Sequence, residues 1–494
     1  MKIEKQKEDN LAIGARGGIA AFVLQVITMG LGFINQIVLA RILGAGGIGE
    51  VILALTILNV AALIAAFGMQ GAMVRFVPYY SERGEAAKLK GIIYHSLKLC
   101  LFLSLIITVL VLFFSRFIAN NIFHSPELSG LLLIVALALP VNVINDVIVG
   151  ILKGHKDTFK ALLPPSIISP FFRIAIFLLL SLQGISSLHA MTAFISGEVL
   201  AMFVALSFLL KKMTKDKPVY DRSEYKKVLD LSSTMFFSGV SAFLFTQSDL
   251  WIIGIFATTE SVGIYGVVSR LVSLIGFSLG AFSAIIPPIM SAVYASGDRN
   301  ELRRIVSEST RWSLSMAVPI ILILVLEGKL ILKYAYGEKF MDGYIALVIL
   351  TIGQLINVGV GLTGWLLQMT GEHKAFMKIN ILGGILNVIL NISLVPYFGI
   401  VGAAVASAFC LAMVNIVSVL VIYNKLSVVT LAKGLKFDAV FAVVIAAFCF
   451  LFNYKNYYLG IHFLLIAALI IYIWKSLISG DLPLKYLLAK YKTG

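Results

Sequence analysis

Between Gly91 and Phe114 the chain reads GIIYHSLKLCLFLSLIITVLVLFF, twenty-four residues broken by a single charge, Lys98. A helix needs about 20 apolar residues to cross the hydrocarbon core of a bilayer. This stretch meets that length. Lys88 and Lys90 precede it, and Arg116 follows. The pattern recurs along the whole chain. Apolar runs fall near 17–42, 48–73, 91–114, 128–152, 161–182, 187–210, 228–257, 261–290, 312–333, 341–368, 375–396, 399–423, 435–453 and 458–478. The length rule therefore predicts an all-α polytopic membrane protein with about 14 transmembrane helices.

Composition agrees. Of 494 residues 60% are hydrophobic and 13% charged, against about 25% charged in soluble domains. No small-residue cleavage site follows the first run, which reads as a retained span. The net charge of +15 does not point to nucleic acid, because the basic residues sit in short loops between spans. Their partner is the membrane lipid of the anionic cytoplasmic leaflet. Cys100, Cys410 and Cys449 lie inside apolar runs. Their odd count and irregular spacing argue against a disulfide framework or a metal site.

The cations orient the map. With the N-terminus in the cytoplasm, the outer side collects only Arg41, Arg116, Lys329, Lys333, Lys339 and Lys455. Lys98, Arg173 and Arg270 lie within spans. The rest of the 40 basic residues fall on the cytoplasmic side. That asymmetry follows the positive-inside rule, and it predicts a multi-pass cell-membrane protein with both termini cytoplasmic.

The chain also repeats itself. Gly84, Glu85, Leu89 and Lys90 after the second span match Gly297, Asp298, Leu302 and Arg303 after the eighth. Gly154-His-Lys156 after the fourth resembles Gly371-Glu-His-Lys374 after the tenth. Gly49 and Gly263 open the second and eighth. Each copy holds six spans, so the copies share one orientation, a design of alternating-access transporters. The predicted organisation is a six-helix lobe over 1–210, a cytoplasmic linker over 211–227, a second six-helix lobe over 228–424, and two extra helices with a tail over 425–494.

Charge at the bilayer centre costs about 2.5–3.5 kcal/mol on insertion scales, so intramembrane ionisable groups mark a cavity or a pairing. Counting along the spans at about 1.5 Å per residue sets Arg173 level with Glu198, Asp249 level with Arg270, and Lys98 level with Asp146. Two readings follow. Arg173, Arg270, Lys98 and Arg75 are candidate cavity cations for an anionic group such as a phosphate, whose oxygens fit the guanidinium fork. Alternatively, the opposite charges lock each hairpin. Asp249, Glu198 and Asp146 are the candidate coupling or ion-pair acids. Asn35, Gln36, Asn145, Asn357 and Asn387 are polar candidates for the cavity wall, with packing across helices the competing role. Pro164, Pro165, Pro170, Pro287 and Pro288 are expected to bend or break their helices.

There is no phosphate-binding loop of the Walker type, no HExxH, no cluster of Cys and His, and no loop long enough to fold alone. The reading is therefore not an enzyme, with no cofactor and no metal.

Several of these motifs resemble one family. Arg41-Ile-Leu-Gly-Ala-Gly-Gly-Ile-Gly49, Gly68-Met-Gln-Gly-Ala-Met-Val-Arg75, Asp249-Leu-Trp-Ile-Ile-Gly254, Val262-Gly-Ile-Tyr265 with Arg270, and Pro287 through Arg303 resemble, in order and spacing, the polysaccharide flippases of the Wzx type. These belong to the multidrug/oligosaccharidyl-lipid/polysaccharide exporter superfamily. The resemblance implies a transporter that moves a polyprenyl-(di)phosphate-linked oligosaccharide to the outer leaflet by alternating access. It implies two six-helix lobes around a cavity, an optional coupling ion (H+ or Na+), and glycosyltransferases of the same pathway as partners. A cation-coupled multidrug exporter and a lipid II flippase are the alternatives within the superfamily. The lipid II branch carries an Arg-Asp pair where this chain has Asn35-Gln36, which argues against that substrate. A membrane glycosyltransferase or polymerase would present acidic residues on a large outer loop, and none is visible.

Overall fold

The computed structural model describes residues 2–213, 217–283 and 286–428, with side chains from residue 23 onward apart from that of residue 281. The spans expected at 435–453 and 458–478, and Cys449, lie outside the described residues. Among those residues the fold is all-helical. The helices are α1 (Lys2–Ala66), α2 (Met69–Glu82), α3 (Ala86–Phe117), α4 (Leu128–Gly154), α5 (Thr158–Leu163), α6 (Ser169–Ser181), α7 (Ser187–Leu210), α8 (Arg222–Thr246), α9 (Ser248–Phe256), α10 (Thr259–Ser283), α11 (Ile286–Ala295), α12 (Arg299–Ile331), α13 (Tyr344–Gly359), α14 (Thr363–Met369) and α15 (His373–Leu426).

Ten described helical stretches are long and apolar enough to cross a membrane. Two are too long for one crossing. Val23–Ala66 has 44 residues and His373–Leu426 has 54, whereas about 20 suffice at 1.5 Å each. Each is two helices joined at a glycine outside the helical region, Gly44 (φ 71, ψ −177) and Gly399 (φ 54, ψ −135). Gly44 is the glycine of the Arg41-Ile-Leu-Gly motif, and a side chain would be strained at that φ. The described residues of the first twelve expected spans thus fall on helix, apart from short breaks.

Among the described residues, three spans read as continuous are broken. The second stops at Ala66, where Phe67 (φ 45) and Gly68 (φ 70) turn left-handed before α2. The seventh divides at Gln247 into α8 and α9. The tenth divides at Gly361 (φ 74) into α13 and α14. Apolar runs do not reveal such breaks, because the residues on either side remain apolar. Of the prolines, Pro164 and Pro165 open a π-helical turn over Pro164–Ile168, where the wider register absorbs amides that the rings cannot supply. Pro170 follows this turn within the continuous helical stretch Thr158–Ser181, and Pro287 and Pro288 lie in α11.

The chain forms two compact units. Of the described residues, the first comprises those up to Val267 with Ala335–Phe340 and Asn391–Ile400; the second comprises those of Val268–Tyr334, Met341–Leu390 and from Val401 on. In the first unit α4 is central, packed by α1, α2, α3 and α7. Its apolar face, with Leu131, Leu132, Val135, Leu139, Val143 and Val147, is buried. Small residues set the closest approaches. An added Cβ on Gly150 would lie 2.5 Å from the Gln70 carbonyl, and one on Gly68 would lie 2.3 Å from that of Ser232. Gly49 and Gly263, matched by the repeat, meet one another reciprocally: each would drive a Cβ to about 2 Å from a carbonyl of the other's helix, Thr259 and Ala45 respectively. In the second unit α12 packs on α13, and a core of Met290, Leu302, Val306, Leu366, Leu367 and Ile422 fills the space among α11, α12, α14 and the end of α15.

The loop motifs fold alike in the two copies. Gly84 and Gly297 are both left-handed (φ 71 and 79). The next residue accepts from the amide four further on, Leu89 to Glu85 at 3.0 Å and Leu302 to Asp298 at 3.1 Å. For the second motif the structural match is Lys156 (φ 60) with Gly371 (φ 86), two residues on from Gly154. Both lie in the same helix-ending turn, closed by Asp157 N to Leu152 O at 3.2 Å and by Glu372 N to Leu367 O at 2.8 Å.

Candidate functional site

In the first unit, α6 and α7 are antiparallel, and Gly197 lets them approach until its added Cβ would meet the Ser169 carbonyl at 2.7 Å. That proximity brings Arg173 to Glu198. Arg173 Nη2 lies 3.0 Å from Glu198 Oε1 and donates to Ser169 Oγ at 3.1 Å; Ser169 Oγ donates to the same carboxylate oxygen at 2.7 Å. Asn145 Nδ2 donates to Glu198 Oε2 at 3.3 Å. The guanidinium also stands 4.1 Å from the centre of the Phe194 ring, an arrangement favoured by the ring quadrupole. Glu198 is 7% exposed. Two buried charges are tolerable when paired and bonded, and this pair is both. Asp146, beside Asn145, is half-buried.

A second constellation surrounds Asp249, also 7% exposed. Its Oδ2 accepts from Tyr265 Oη at 2.7 Å and its Oδ1 from Asn391 Nδ2 at 3.1 Å. Gln36 Nε2 donates to the Gly266 carbonyl at 3.2 Å, while its buried Oε1 has no partner. Asn35 is half-buried.

The remaining candidate cations differ in burial from Arg173. Lys98, Arg75 and Arg270 are all exposed, although each lies on an apolar helix. Lys98 makes no ion pair with Asp146, so the hairpin of α3 and α4 is not locked as the matching depth allowed. Arg270 projects from α10, where Val267, Val268, Leu271 and Val272 around it are buried.

The second unit carries a network of neutral polar groups. Asn357 Nδ2 donates to Gln354 Oε1 at 3.0 Å. Asn415 Nδ2 donates to Asn357 Oδ1 at 3.0 Å, and Thr363 Oγ1 reaches Asn415 Oδ1 at 3.4 Å. Asn387, fully buried, donates to Ser407 Oγ at 3.1 Å. Residue-by-residue reading missed Ser169, Tyr265, Thr363 and Asn415. Ser169 had a local signal, since it lies one helical turn before Arg173; the other three are brought in from distant helices.

At the ends of the spans, charges form clasps. Asp157 accepts from Lys160 Nζ at 2.9 Å and pairs with Lys212 Nζ at 3.1 Å. Burial pushes its carboxyl up, but those two ammonium groups outweigh burial and hold it below the usual carboxylate range. Burial, with Lys212 nearby, holds His155 below the ordinary imidazole value. In the second unit Lys425 Nζ pairs with Glu372 Oε2 at 2.6 Å.

This architecture defines a class. The inward-closed lipid II flippase MurJ superposes with a TM-score of 0.70 over 93% of this chain and 99% of that one, at 18% identity. An inward-facing multidrug resistance MATE transporter of the MOP superfamily superposes with a TM-score of 0.65 over 83% and 98%, at 17% identity. At such identities the likeness concerns the fold. Sequence identifies the family. The polysaccharide biosynthesis proteins match residues 15–293, and the MatE family matches residues 235–393. The "probable low-salt glycan biosynthesis flippase Agl15" of Haloferax volcanii is 26% identical over 399 residues, 81% of each chain. The chain therefore belongs to the polysaccharide biosynthesis protein family, within the exporter superfamily of multidrug, oligosaccharidyl-lipid and polysaccharide transporters.

Proposed function

We propose that this protein is a flippase that carries a lipid-linked oligosaccharide, borne on a polyprenyl-(di)phosphate, from the cytoplasmic to the outer leaflet of the cell membrane by alternating access. Family membership and the Agl15 likeness support the class of cargo. The observation that carries the mechanism is the exposure of Arg270 on an otherwise apolar, largely buried helix. A guanidinium at that place is costly unless it meets water or an anion, and a phosphate is the anion whose geometry it fits. Lys98 and Arg75 are proposed to assist.

Arg173 takes a different role in this reading. Glu198 already neutralises it, so it positions the α6–α7 hairpin and meets phosphate only if Glu198 is protonated. Glu198, Asp146 and Asp249 are the groups proposed to exchange a coupling H+ or Na+ during the cycle. The six-helix lobes over 1–210 and 228–424 would move about the linker 211–227, with both termini in the cytoplasm and the glycosyltransferases of the pathway supplying cargo.

The test is deletion of the gene, followed by analysis of lipid-linked sugars. The expected outcome is accumulation of one such lipid on the inner leaflet with loss of the corresponding surface glycan. Intact surface glycan without accumulation overturns the reading. The MatE match over 235–393 favours drug export as the second reading; drug sensitivity of the deletion strain with normal glycans would support it.

A further inference from the structure

Where α7 ends, the clasp on Asp157 leaves positive charge over. A single oxygen, Asp157 Oδ2, receives two ammonium groups, Lys160 Nζ of α5 at 2.9 Å and Lys212 Nζ at 3.1 Å. One carboxylate neutralises one of them. Both lysines stay partly open to solvent, with side chains 46% and 28% exposed. Lys211, next to Lys212, is exposed and makes no ion pair among the described residues. Lys156 brings no free acid, since Glu82 already holds it at 2.8 Å. The negative pole of the α7 dipole, equivalent to about half a charge, does not offset the surplus.

An apolar stripe leads down to these lysines. Leu200, Phe203 and Leu210 are 37%, 60% and 59% exposed. Their spacings of three and seven set them on one face of α7, and Lys211 continues that face. From Leu200 to Leu210 the stripe runs about 15 Å at about 1.5 Å per residue. That is half of a hydrocarbon core of about 30 Å, the depth of one leaflet. Leu200 stands two residues beyond Glu198, the middle of the helix Ser187–Leu210. Toward the N-terminal end the same face turns polar at Thr192 and Ser196, whose hydroxyls bond back to Leu188 O and Thr192 O at 2.8 Å each. The apolar stripe and the cations thus share one half of the membrane, which in the proposed orientation is the cytoplasmic half.

We propose that this flank of α7 is a binding site for one anionic phospholipid of the cytoplasmic leaflet. Its phosphate meets Lys160 and Lys212 where they converge on Asp157, with Lys211 beside them, and one acyl chain lies along Leu200, Phe203 and Leu210. Ammonium groups bind phosphate as point charges, and anionic headgroups gather at such clusters. A free anion would make no use of the stripe. A zwitterionic lipid would bring its own ammonium to a place that already has too many. The bound phosphate ties α5 to the end of α7, so the lipid braces the first unit. The site does not require that the protein be a flippase.

The experiment uses the purified full chain in detergent, titrated with dioleoyl phosphatidylglycerol, dioleoyl phosphatidylcholine, farnesyl phosphate or inorganic phosphate at constant ionic strength. The readouts are melting temperature and the lipid retained in native mass spectrometry. Wild-type protein is expected to show a saturable rise with phosphatidylglycerol and none with phosphatidylcholine or inorganic phosphate. The double variant Lys160→Gln, Lys211→Gln should raise the half-saturating lipid concentration at least about tenfold. Phe203→Ala should raise it less. The double variant Lys374→Gln, Lys378→Gln removes as many exposed lysines from the second unit and should leave the response unchanged. Without lipid the first double variant should melt close to wild type, because Lys212 still neutralises Asp157. Absence of a rise specific to phosphatidylglycerol overturns the proposal. Equal weakening by the two double variants also overturns it, since the attraction is then diffuse. So does a tighter response to farnesyl phosphate, which would make the flank a cargo site. None of these measurements involves transport, so their failure is distinct from failure of the glycan assay.

Discussion

In the first unit Lys212 closes on Asp157 at 3.1 Å; in the second Lys425 closes on Glu372 at 2.6 Å. Each acid follows a left-handed residue that ends a helix, Lys156 in one and Gly371 in the other. The borders of the two units are thus the same device built twice. Their interiors are not. One holds a buried ion pair, Arg173 with Glu198, bonded through Ser169 and Asn145. The other holds amides and hydroxyls, Asn357, Asn415 and Thr363, around a broken helix. A repeated scaffold keeps the turns that close it and lets the polar interior diverge, because a turn is fixed by backbone conformation, whereas an interior polar group is fixed only by finding a partner.

The comparison can be broken at several points. The largest expected effect belongs to the exposed cation. Arg270→Ala should reduce glycan transfer at least about tenfold, with protein yield and melting temperature close to wild type; equal loss of yield and transfer would make Arg270 a structural residue. Next come the buried charges. Arg173→Met alone leaves Glu198 buried and uncompensated, at a cost of about 3–5 kcal/mol. The double variant Arg173→Met, Glu198→Leu should recover most of that stability, and denaturation curves of the single and double variants would show it. A smaller loss is expected in the neutral interior. Asn415→Leu strands Asn357 and Thr363 without charge, for about 1–3 kcal/mol. A cost as large as that of the single Arg173 variant would erase the contrast between the units.

The clasps should contribute least, below about 1 kcal/mol each at their partly exposed positions, and they should carry a pH signature. Asp157 has a depressed folded-state pKa, so its contribution is present at neutral pH and is lost only as pH falls below about 3.9 through the folded value. His155 is depressed as well. Protonation therefore favours the unfolded chain, and the associated loss begins as pH falls below about 6.5. Melting temperatures measured from pH 7 to 5 should decline, and His155→Asn should flatten that decline. An unchanged slope would remove His155 from the account.

Much of this was readable in one dimension. The apolar runs located twelve expected spans whose described residues lie largely on helices, and the cation asymmetry proposed their direction. Equal depth along neighbouring spans anticipated that Arg173 and Glu198 meet. The same count failed for Lys98 and Asp146, because depth says nothing about the rotation of a helix about its axis. Lys98 faces outward from α3. The breaks at Phe67–Gly68, Gln247 and Gly361 were also missed, since hydropathy averages over a window and a single left-handed residue does not alter the average.

Sequence alone determined the solvent and the class of fold. The cost of placing a peptide or a charge in hydrocarbon is paid residue by residue, and so it is written locally along the chain. Tertiary structure alone decided which polar groups neutralise one another and which remain open. Glu198 is satisfied by residues from α4 and α6, contacts that depend on helix rotation and close approach rather than on composition.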